Sequence, residues 1–265
     1  MTLTEISREF DIAYDNISSN QAPGVNSYEK SVLLTKAQDQ IVRSKYSPFN
    51  ISKKSFETSE NRRTELKELI TPYSTSESFT KESIEIDPES LFFEIPLDVY
   101  YILQEEVILS NSSGTRPVED SSVVDCITGT RVQVIPMSHD EYNTAKKNPF
   151  RKPNKRKVWR MDISKQEGAN AEKLVPMVEI ISKYSILKYS MRYLRQPPPI
   201  VLETFDNNVE YEGLNLSINN ISTATECILS SEIQRDIIDR AVEMAITSYR
   251  ENTLQSNVEL NKRNI

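Results

Sequence analysis

The sequence predicts an α+β fold in which helices from both ends pack together and a mainly antiparallel β-sheet fills the middle. Three observations lead to this prediction. Apolar residues recur at helical spacing near both termini, and segments rich in Val, Ile and Tyr crowd the central region. Pro, Gly and Asn clusters separate these segments. A basic run within the central region is expected to form an extended loop carried by the sheet.

The N-terminal region, residues 1–48, is predicted to form a helical hairpin. Thr2 and Glu5 stand at capping-box spacing, in which each side chain satisfies the backbone N–H of the other residue. A Pro-Gly pair then breaks the first helix. A second helix is expected to start near Asn26 or Ser27, with Glu29 three residues after Asn26, and to end before Ser47-Pro48. The apolar faces are formed by Ile6, Phe10, Tyr14 and Ile17 in the first helix, and by Leu33, Leu34, Ala37, Ile41 and Val42 in the second.

Four short motifs stand out in this hairpin: YDNI at residues 14–17, NQAPG at 20–24, YEKS at 28–31 and LTKAQ at 34–38. Together they resemble the opening of a structural protein of crAss-like tailed bacteriophages. The resemblance is specific over residues 1–42. The order of the later segments and a C-terminal helix are similar only in outline.

The resemblance implies a non-enzymatic virion protein that forms a cyclic homo-oligomer, expected to be a homododecamer. Such a ring would connect the portal protein to adjacent ring or tail proteins and leave a channel through which DNA passes. The implied location is the neck or tail of the virion, with the host cytoplasm as the site of assembly. No membrane partner is implied, and the channel allows transient contact with double-stranded DNA.

Residues 49–82 are predicted to form a polar surface segment that contains one short helix and a linker. Leu66, Leu69 and Ile70 allow one short helix around residues 59–70, which a Thr-Pro pair ends. The stretch that follows, residues 72–82, is rich in Ser and Thr and is interpreted as a surface linker.

The central region, residues 83–202, is predicted to be rich in strands. The candidate strands cover residues 91–95, 99–109, 123–127, 131–135, 158–161, 177–183 and 186–195. The third and fourth are expected to form a hairpin about Thr128-Gly129, and the last two are expected to pair with each other. Ser138 and Glu141 predict a capped short helix, and the prolines at 197–199 should end the last strand and lead residues 200–202 away as an edge piece.

The C-terminal part is divided into an irregular connection, residues 203–229, and a helix with a polar tail, residues 230–265. Asn219-Asn220 is one of several turn signals in the connection. The helix is expected over residues 231–254, and Gln234 stands at capping-box spacing from Ser231. Its stripe of apolar and small residues comprises Ile233, Ile237, Ala241, Met244, Ala245 and Ser248.

Composition argues against several classes of site, and we expect no catalytic residue, metal or cofactor. The chain has five glycines, too few and too scattered for a phosphate-binding loop. Its one histidine, His139, argues against a His-based metal site. Neighbouring Ser138 and Asp140 cannot form a catalytic relay with His139, because adjacent side chains diverge. Cys126 and Cys227 are expected to be buried thiols in a reducing compartment. Neither a signal peptide nor a membrane span is expected.

A basic loop is the strongest candidate for a functional surface. Eight cations and no acid fall within residues 146–160: Lys146, Lys147, Arg151, Lys152, Lys155, Arg156, Lys157 and Arg160. The whole chain carries 32 basic and 39 acidic residues and a net charge of −7. Without this segment the remainder is strongly acidic, so the positive charge is segregated.

Three interpretations of the basic loop remain open. It is a solvated loop, a contact with an acidic patch on a neighbouring copy or adjoining ring, or a contact with DNA phosphates in the channel. The second is favoured, and charge reversal at Lys155, Arg156 and Lys157 is then expected to impair ring assembly. A rival function is a single-stranded nucleic-acid-binding protein that uses the loop and Tyr184, Tyr189 and Tyr193 as a stacking surface. A hydrolase has little support, because no pairing of carboxylates can be deduced.

Overall fold

The computed structural model describes residues 1–18, 24–47, 56, 59–78, 90–110, 129–148, 150–167, 173–205 and 216–263, with side chains omitted for 16–18, 165–167, 173–174 and 249–263. The chain forms two compact units. One comprises Met1–Leu69 and Pro197–Ile265, and the other comprises Ile70–Gln196. Helices dominate the first unit and a sheet forms the second, which confirms the predicted α+β class.

The described residues contain five α-helices: α1 (Leu3–Ser18), α2 (Ser27–Tyr46), α3 (Glu60–Leu66), α4 (His139–Lys146) and α5 (Ser231–Arg263). A single 3-10 turn, Lys67–Leu69, follows α3. All of these except α4 belong to the first unit. The helix predicted around residues 59–70 is therefore present as α3 and its 3-10 extension.

Helices α1 and α2 both pack against α5 and form the core of the first unit. The apolar faces predicted for the three helices are largely buried, since Phe10, Leu34 and Ala241 are each 0% exposed. The predicted capping box of α1 is confirmed: the Thr2 N–H donates to Glu5 Oε2 at 2.8 Å, and the Glu5 N–H donates to Thr2 Oγ1 at 3.3 Å. The two ends of the chain thus meet in one helical core, as predicted.

A row of polar side chains on α2 binds an extended segment of the same unit. Ser31, Thr35 and Gln38 share one face of α2 because they are spaced by four and three residues. The Leu202 N–H donates to Ser31 Oγ at 3.0 Å, and the Ile200 N–H donates to Thr35 Oγ1 at 3.1 Å. Gln38 Nε2 donates to the Pro198 carbonyl at 3.1 Å. Residues 200–202, expected as an edge piece, are instead held along a helix.

The second unit contains one seven-stranded sheet with the order β1-β7-β3-β4-β5-β6-β2. Its strands are β1 (Ile70–Thr75), β2 (Ser90–Glu94), β3 (Val99–Ser110), β4 (Gly129–Pro136), β5 (Lys157–Glu167), β6 (Lys173–Ile181) and β7 (Ile186–Arg195). Every neighbouring pair is antiparallel except β4 and β5, which are parallel. The mainly antiparallel sheet is therefore confirmed.

The sheet curls until its two edge strands meet. The Tyr73 hydroxyl in β1 donates to the Glu94 carbonyl in β2 at 3.2 Å, although these strands stand at opposite ends of the sheet order. Phe93 of β2 also stacks on Tyr189 of β7, with ring centroids 5.5 Å apart. The concave side encloses a cluster of buried apolar residues contributed by six strands, β2 to β7. The right-handed twist of strands favours such closure when one face is strongly apolar.

Two interpretations of the central region differ from the structure. Strand β1 lies partly within residues 72–82, which the Ser-rich composition assigned to a linker; Pro72 is tolerated there because β1 is an edge strand. Strands β6 and β7 do not pair with each other, because β5 and β2 occupy the two edges of β6. The strand expected at residues 123–127 lies outside the described residues.

Two further differences concern turns and the last helix. Gly129, expected in a hairpin turn, is the first residue of β4 and pairs with Ser110. Helix α5 continues to Arg263 rather than ending near residue 254. Gln234 does not form the expected capping box: its Nε2 donates to the carbonyls of Cys227 and Leu229. The turn predicted at Asn219-Asn220 is confirmed, since both residues have positive φ.

Candidate interaction surface

The basic segment lies in the crossover between the two parallel strands of the sheet. Parallel neighbours need a long connection, and here it consists of α4 followed by the basic loop. Helix α4 begins at a capping box in which the Glu141 N–H donates to Ser138 Oγ and the Ser138 N–H donates to Glu141 Oε2. This confirms the predicted role of Ser138 as a helix cap and places His139 at the first position of the helix.

Helix α4 covers the convex face of the sheet and fixes the start of the loop. Tyr142 and Ala145 on α4 pack against Trp159, Met161 and Ile181 of the sheet. The Tyr142 and Trp159 rings meet edge to face, with centroids 6.1 Å apart. Because both ends of the loop are anchored to this small core, the loop itself leaves the sheet at a defined place.

The loop is built from two turns that asparagine side chains hold in place. Asn148 Oδ1 accepts from the Phe150 N–H at 3.0 Å, and the Asn148 carbonyl accepts from the Arg151 N–H at 3.2 Å. Asn154 Oδ1 accepts from the Arg156 N–H at 2.8 Å, and the backbones of Asn154 and Lys157 pair in both directions. Asparagine favours such turns because its side chain bonds the backbone two residues on. Pro149 lies outside the described residues, and the extended form of the loop stays a prediction.

The structure separates the eight predicted contact residues into one buried, one half-buried and six exposed side chains, and two of the exposed ones lie over aromatic rings. Lys157 opens strand β5 and is half-buried, and Arg160 is buried. Two side chains lie over aromatic rings: Lys146 Nζ is 5.3 Å from the centre of the Tyr142 ring, and Lys155 Nζ is 5.5 Å from that of Tyr184. Six are exposed on α4 and the loop: Lys146, Lys147, Arg151, Lys152, Lys155 and Arg156.

Arg160 belongs to the interior of the sheet rather than to this surface. Its Nη1 lies 2.8 Å from Glu105 Oε1, and its Nη2 lies 3.3 Å from Asp162 Oδ2. The Tyr189 hydroxyl also donates to Glu105 Oε1. Burial alone would lower the pKa of Arg160, but attraction and hydrogen bonding to Glu105, together with attraction to Asp162, outweigh it and raise that pKa. We therefore remove Arg160 from the proposed contact surface.

The tyrosines proposed as a stacking surface are mostly interior residues. Tyr189 is 0% exposed and Tyr193 is 3% exposed, so neither ring has a face available to a base. Burial and a hydrogen bond to Asp98 raise the pKa of Tyr193 to about 12, and burial also raises the pKa of Tyr189. Only Tyr184 is half-buried, and Lys155 lies over its ring. This arrangement counts against binding of single-stranded nucleic acid by base stacking.

Sequence reasoning missed two features of the surface. Phe150, in the middle of the cations, is 92% exposed. An open groove of about 770 Å³ runs along β3 and is lined by Tyr100, Tyr101 and Asp162 among others. The exposure of Phe150 could have been inferred, because a lone aromatic between two prolines and four cations has no apolar neighbour in sequence. The groove depends on the curl of the sheet and has no local signal.

The described residues show little sign of any other kind of site. Within the described ranges, no group of three or more His, Cys, Asp or Glu residues is placed to hold a metal ion. Among the described helices, none combines the length and apolar character needed to cross a membrane. Cys227 is a buried free thiol whose pKa is raised by that burial. Cys126 lies outside the described residues.

Comparison with known proteins identifies the family. The phage tail ring protein 3/4 family matches this chain over residues 1–257. The chain belongs to that family. Among its relatives is "Ring protein 4/5" of Bacteroides phage crAss001, 33% identical over 264 residues and covering 99% of both chains. "Ring protein 3" of the same phage is 36% identical over 249 residues, or 94% of this chain and 96% of the relative.

The resemblance noted in the N-terminal motifs is therefore confirmed, and it extends well beyond them. The match to the phage tail ring protein 3/4 family includes the whole of the sheet unit and the basic segment. It also includes α5 as far as residue 257. The surface described above thus lies inside the region that defines this family of ring proteins.

Proposed function

We propose that this chain is a non-enzymatic structural subunit of a closed ring in the virion of a crAss-like phage. The observation that carries the proposal is the family match over residues 1–257, together with relatives that are named ring proteins and are matched over almost their full length. In finer detail, we propose a homododecamer in the neck or tail. It joins the portal protein to adjacent ring or tail proteins and surrounds the channel for DNA.

The charge distribution supports head-to-tail association of copies. A cyclic ring joins two different surfaces of one subunit, and opposite charges on those surfaces favour the correct register. Six exposed cations gather on α4 and its loop, whereas the chain as a whole carries 39 acidic and 32 basic residues. A predominantly acidic remainder also disfavours tight retention of DNA, so any contact with double-stranded DNA in the channel would be transient.

The proposal is tested by locating the chain in purified virions. Cryo-electron microscopy of the particles, with mass spectrometry of their proteins, is expected to find the chain in a ring between the portal and the tail. Assembly takes place in the host cytoplasm, so the protein is also expected in lysates before particles form. Absence of the chain from purified virions would overturn the proposal.

Filter binding at two salt concentrations tests the rival function, in which the chain binds single-stranded nucleic acid. Strong retention of single-stranded DNA that falls steeply with salt would support the rival. We expect little retention at either concentration, because Tyr189 and Tyr193 are enclosed in the sheet.

A further inference from the structure

Phe150 is presented to solvent by a turn that the chain holds in place. Its side chain is 92% exposed, while its backbone N–H is bonded to Asn148 Oδ1 at 3.0 Å. Arg151 and Lys152 follow it directly and are exposed. Single exposed apolar residues are common, but aromatic and arginine side chains are the residues that most often dominate binding at protein interfaces. This combination is suited to inserting into a groove on a partner protein.

The groove along β3 has the chemistry to receive such a group. It is open, about 770 Å³ in volume, and lined by both apolar and charged side chains. Tyr100 and Tyr101 lie together in it, with ring centroids 4.5 Å apart. Three carboxylates, Glu105, Glu106 and Asp162, and two arginines, Arg131 and Arg160, line it, so acids are in excess. Glu106 is 3.4 Å from Arg131, and Asp162 is 3.3 Å from Arg160 but remains 73% exposed. Tyrosine rings and carboxylates are the natural partners of a phenylalanine flanked by cations.

The loop and the groove are different surfaces of one sheet. The loop ends at Lys157, where β5 begins, whereas the groove is lined by Asp162 and Ile163 further along the same strand. None of the six exposed cations of α4 and the loop lines the groove, although its wall reaches Gln133, the partner of Lys157 on β4. Head-to-tail association requires two such separate surfaces on each copy.

We propose that Phe150 of one copy seats in the β3 groove of the next copy in the ring, with Arg151 and Lys152 facing the carboxylates and tyrosines of that groove. The occupant is therefore a second copy of this chain. This inference rests on the proposed ring and names the contact between its subunits. It assigns the cations to a protein partner rather than to DNA.

The first test substitutes Phe150→Ala in the full-length chain. The concentration at which half of the chains are assembled, measured by mass photometry, is expected to rise at least tenfold. The matched control is Ile12→Ala, another exposed apolar side chain, 62% exposed on α1 in the other unit, which is expected to change nothing. Circular dichroism of both variants is expected to match the unsubstituted protein, since neither side chain is buried.

The second test places one cysteine on each surface. Gln104 is exposed and lines the groove, so the double variant Lys152→Cys, Gln104→Cys, which keeps Phe150, is expected to form a ladder of covalent multimers on mild oxidation. Either single variant controls for the native cysteines and is expected to give no ladder. Rings of normal mass that yield no ladder in the double variant would overturn the inference.

These outcomes separate this inference from the proposed function. If the unsubstituted chain forms no ring and is absent from virions, the proposed function fails. If rings form but Phe150→Ala assembles normally, only the contact is wrong. If Phe150→Ala leaves rings intact and instead removes salt-sensitive retention of double-stranded DNA, the surface binds nucleic acid and the inference is overturned.

Discussion

Arg160 carries its charge into the interior of the sheet, where Glu105 neutralises it. Both side chains are largely shielded, at 11% and 6% exposure, and Nη1 and Oε1 are 2.8 Å apart. Tyr189 donates a further hydrogen bond to Glu105, so one carboxylate links β3, β5 and β7. Removing one member of such a pair leaves an uncompensated buried charge, which costs far more than an exposed ion pair contributes.

We therefore predict that Arg160→Met destabilises the protein by about 3–5 kcal/mol, because it leaves Glu105 buried without its counter-charge. Urea denaturation measures the change in the free energy of unfolding. Adding Glu105→Gln removes the stranded charge, so the double variant is expected to be more stable than Arg160→Met alone. A loss below about 1 kcal/mol in Arg160→Met, typical of exposed pairs, would contradict the assignment of Arg160 to the interior.

Gly129 is required by close packing rather than by a turn. A Cβ built at this position would lie 2.4 Å from Ile108 Cγ2 and 2.6 Å from the Leu109 carbonyl oxygen, and backbone cannot move aside easily. We predict that Gly129→Ala lowers the free energy of unfolding by about 1–3 kcal/mol, the usual cost of overpacking. The control is Gly24→Ala, where nothing lies within 4 Å. Equal stabilities of the two variants in thermal or urea denaturation would refute this.

The interior position of Arg160 could have been predicted from the alternation of a strand. Val158 is buried in the main core, and residues two apart in a strand share a face. The sequence therefore places Arg160 on the side of Val158. Charge composition pointed instead to the exposed cations next to it. What the sequence cannot give is the partner, because Glu105 comes from a strand 55 residues earlier along the chain.

At the scale of elements, α2 serves as a polar template for the segment that returns from the sheet unit. The amides of Ile200 and Leu202 are buried, and their partners are hydroxyls on α2 rather than a neighbouring strand. A buried amide without a partner costs about 1–3 kcal/mol, so these hydroxyls are structural requirements.

We predict that Thr35→Val, which keeps the shape of the side chain but removes the acceptor, lowers the free energy of unfolding by about 1–3 kcal/mol. It should also speed hydrogen exchange at the Ile200 amide. Thr35→Ser retains the hydroxyl and is the matched control, for which we expect a smaller effect on both. Unchanged exchange at Ile200 in Thr35→Val would show that this hydrogen bond does not protect the segment.

Local signals predicted the helices well and the strand partners poorly. The caps at Thr2, Asn26 and Ser138 lie within four residues of the groups they bond, so the sequence contains the whole interaction. Strand pairing is decided by partners far apart in sequence. Strand β1 was missed because Thr, Ser and Pro dominate it, yet β7 pairs with it along its full length. The sequence predicts that β6 and β7 pair with each other, because proximity along the chain favours hairpins, yet they are not neighbours in the sheet.

At the scale of the whole molecule, the separation of charge is the property most relevant to assembly. The exposed cations of α4 and its loop lie within one region, on a chain with a net charge of −7. Interactions between exposed charges weaken with salt. Assembly through this region should therefore weaken as the salt concentration rises. Reversing charges in this region should impair assembly more than reversing the same number of charges elsewhere on the chain.

We predict that reversing Lys152, Lys155 and Arg156 to Glu raises the concentration required for ring assembly at least tenfold, as measured by mass photometry. Lys152 takes the place of Lys157, which the sequence suggested for charge reversal with Lys155 and Arg156, because Lys157 is half-buried at the start of β5. Reversal of Arg8, Arg63 and Lys67, which are exposed in the helical unit, changes the net charge equally and is the control. Equal effects of both sets would mean that net charge alone matters.

Native mass spectrometry of the purified full-length protein tests the central claim most directly, since that claim is closed self-association. The account predicts one dominant assembly whose mass is an integer multiple of the 30.5 kDa chain, and the twelvefold multiple if the ring is a dodecamer. It also predicts dissociation at high salt. A protein that stays monomeric at every concentration, alone and in the presence of lysed phage particles, would contradict the account.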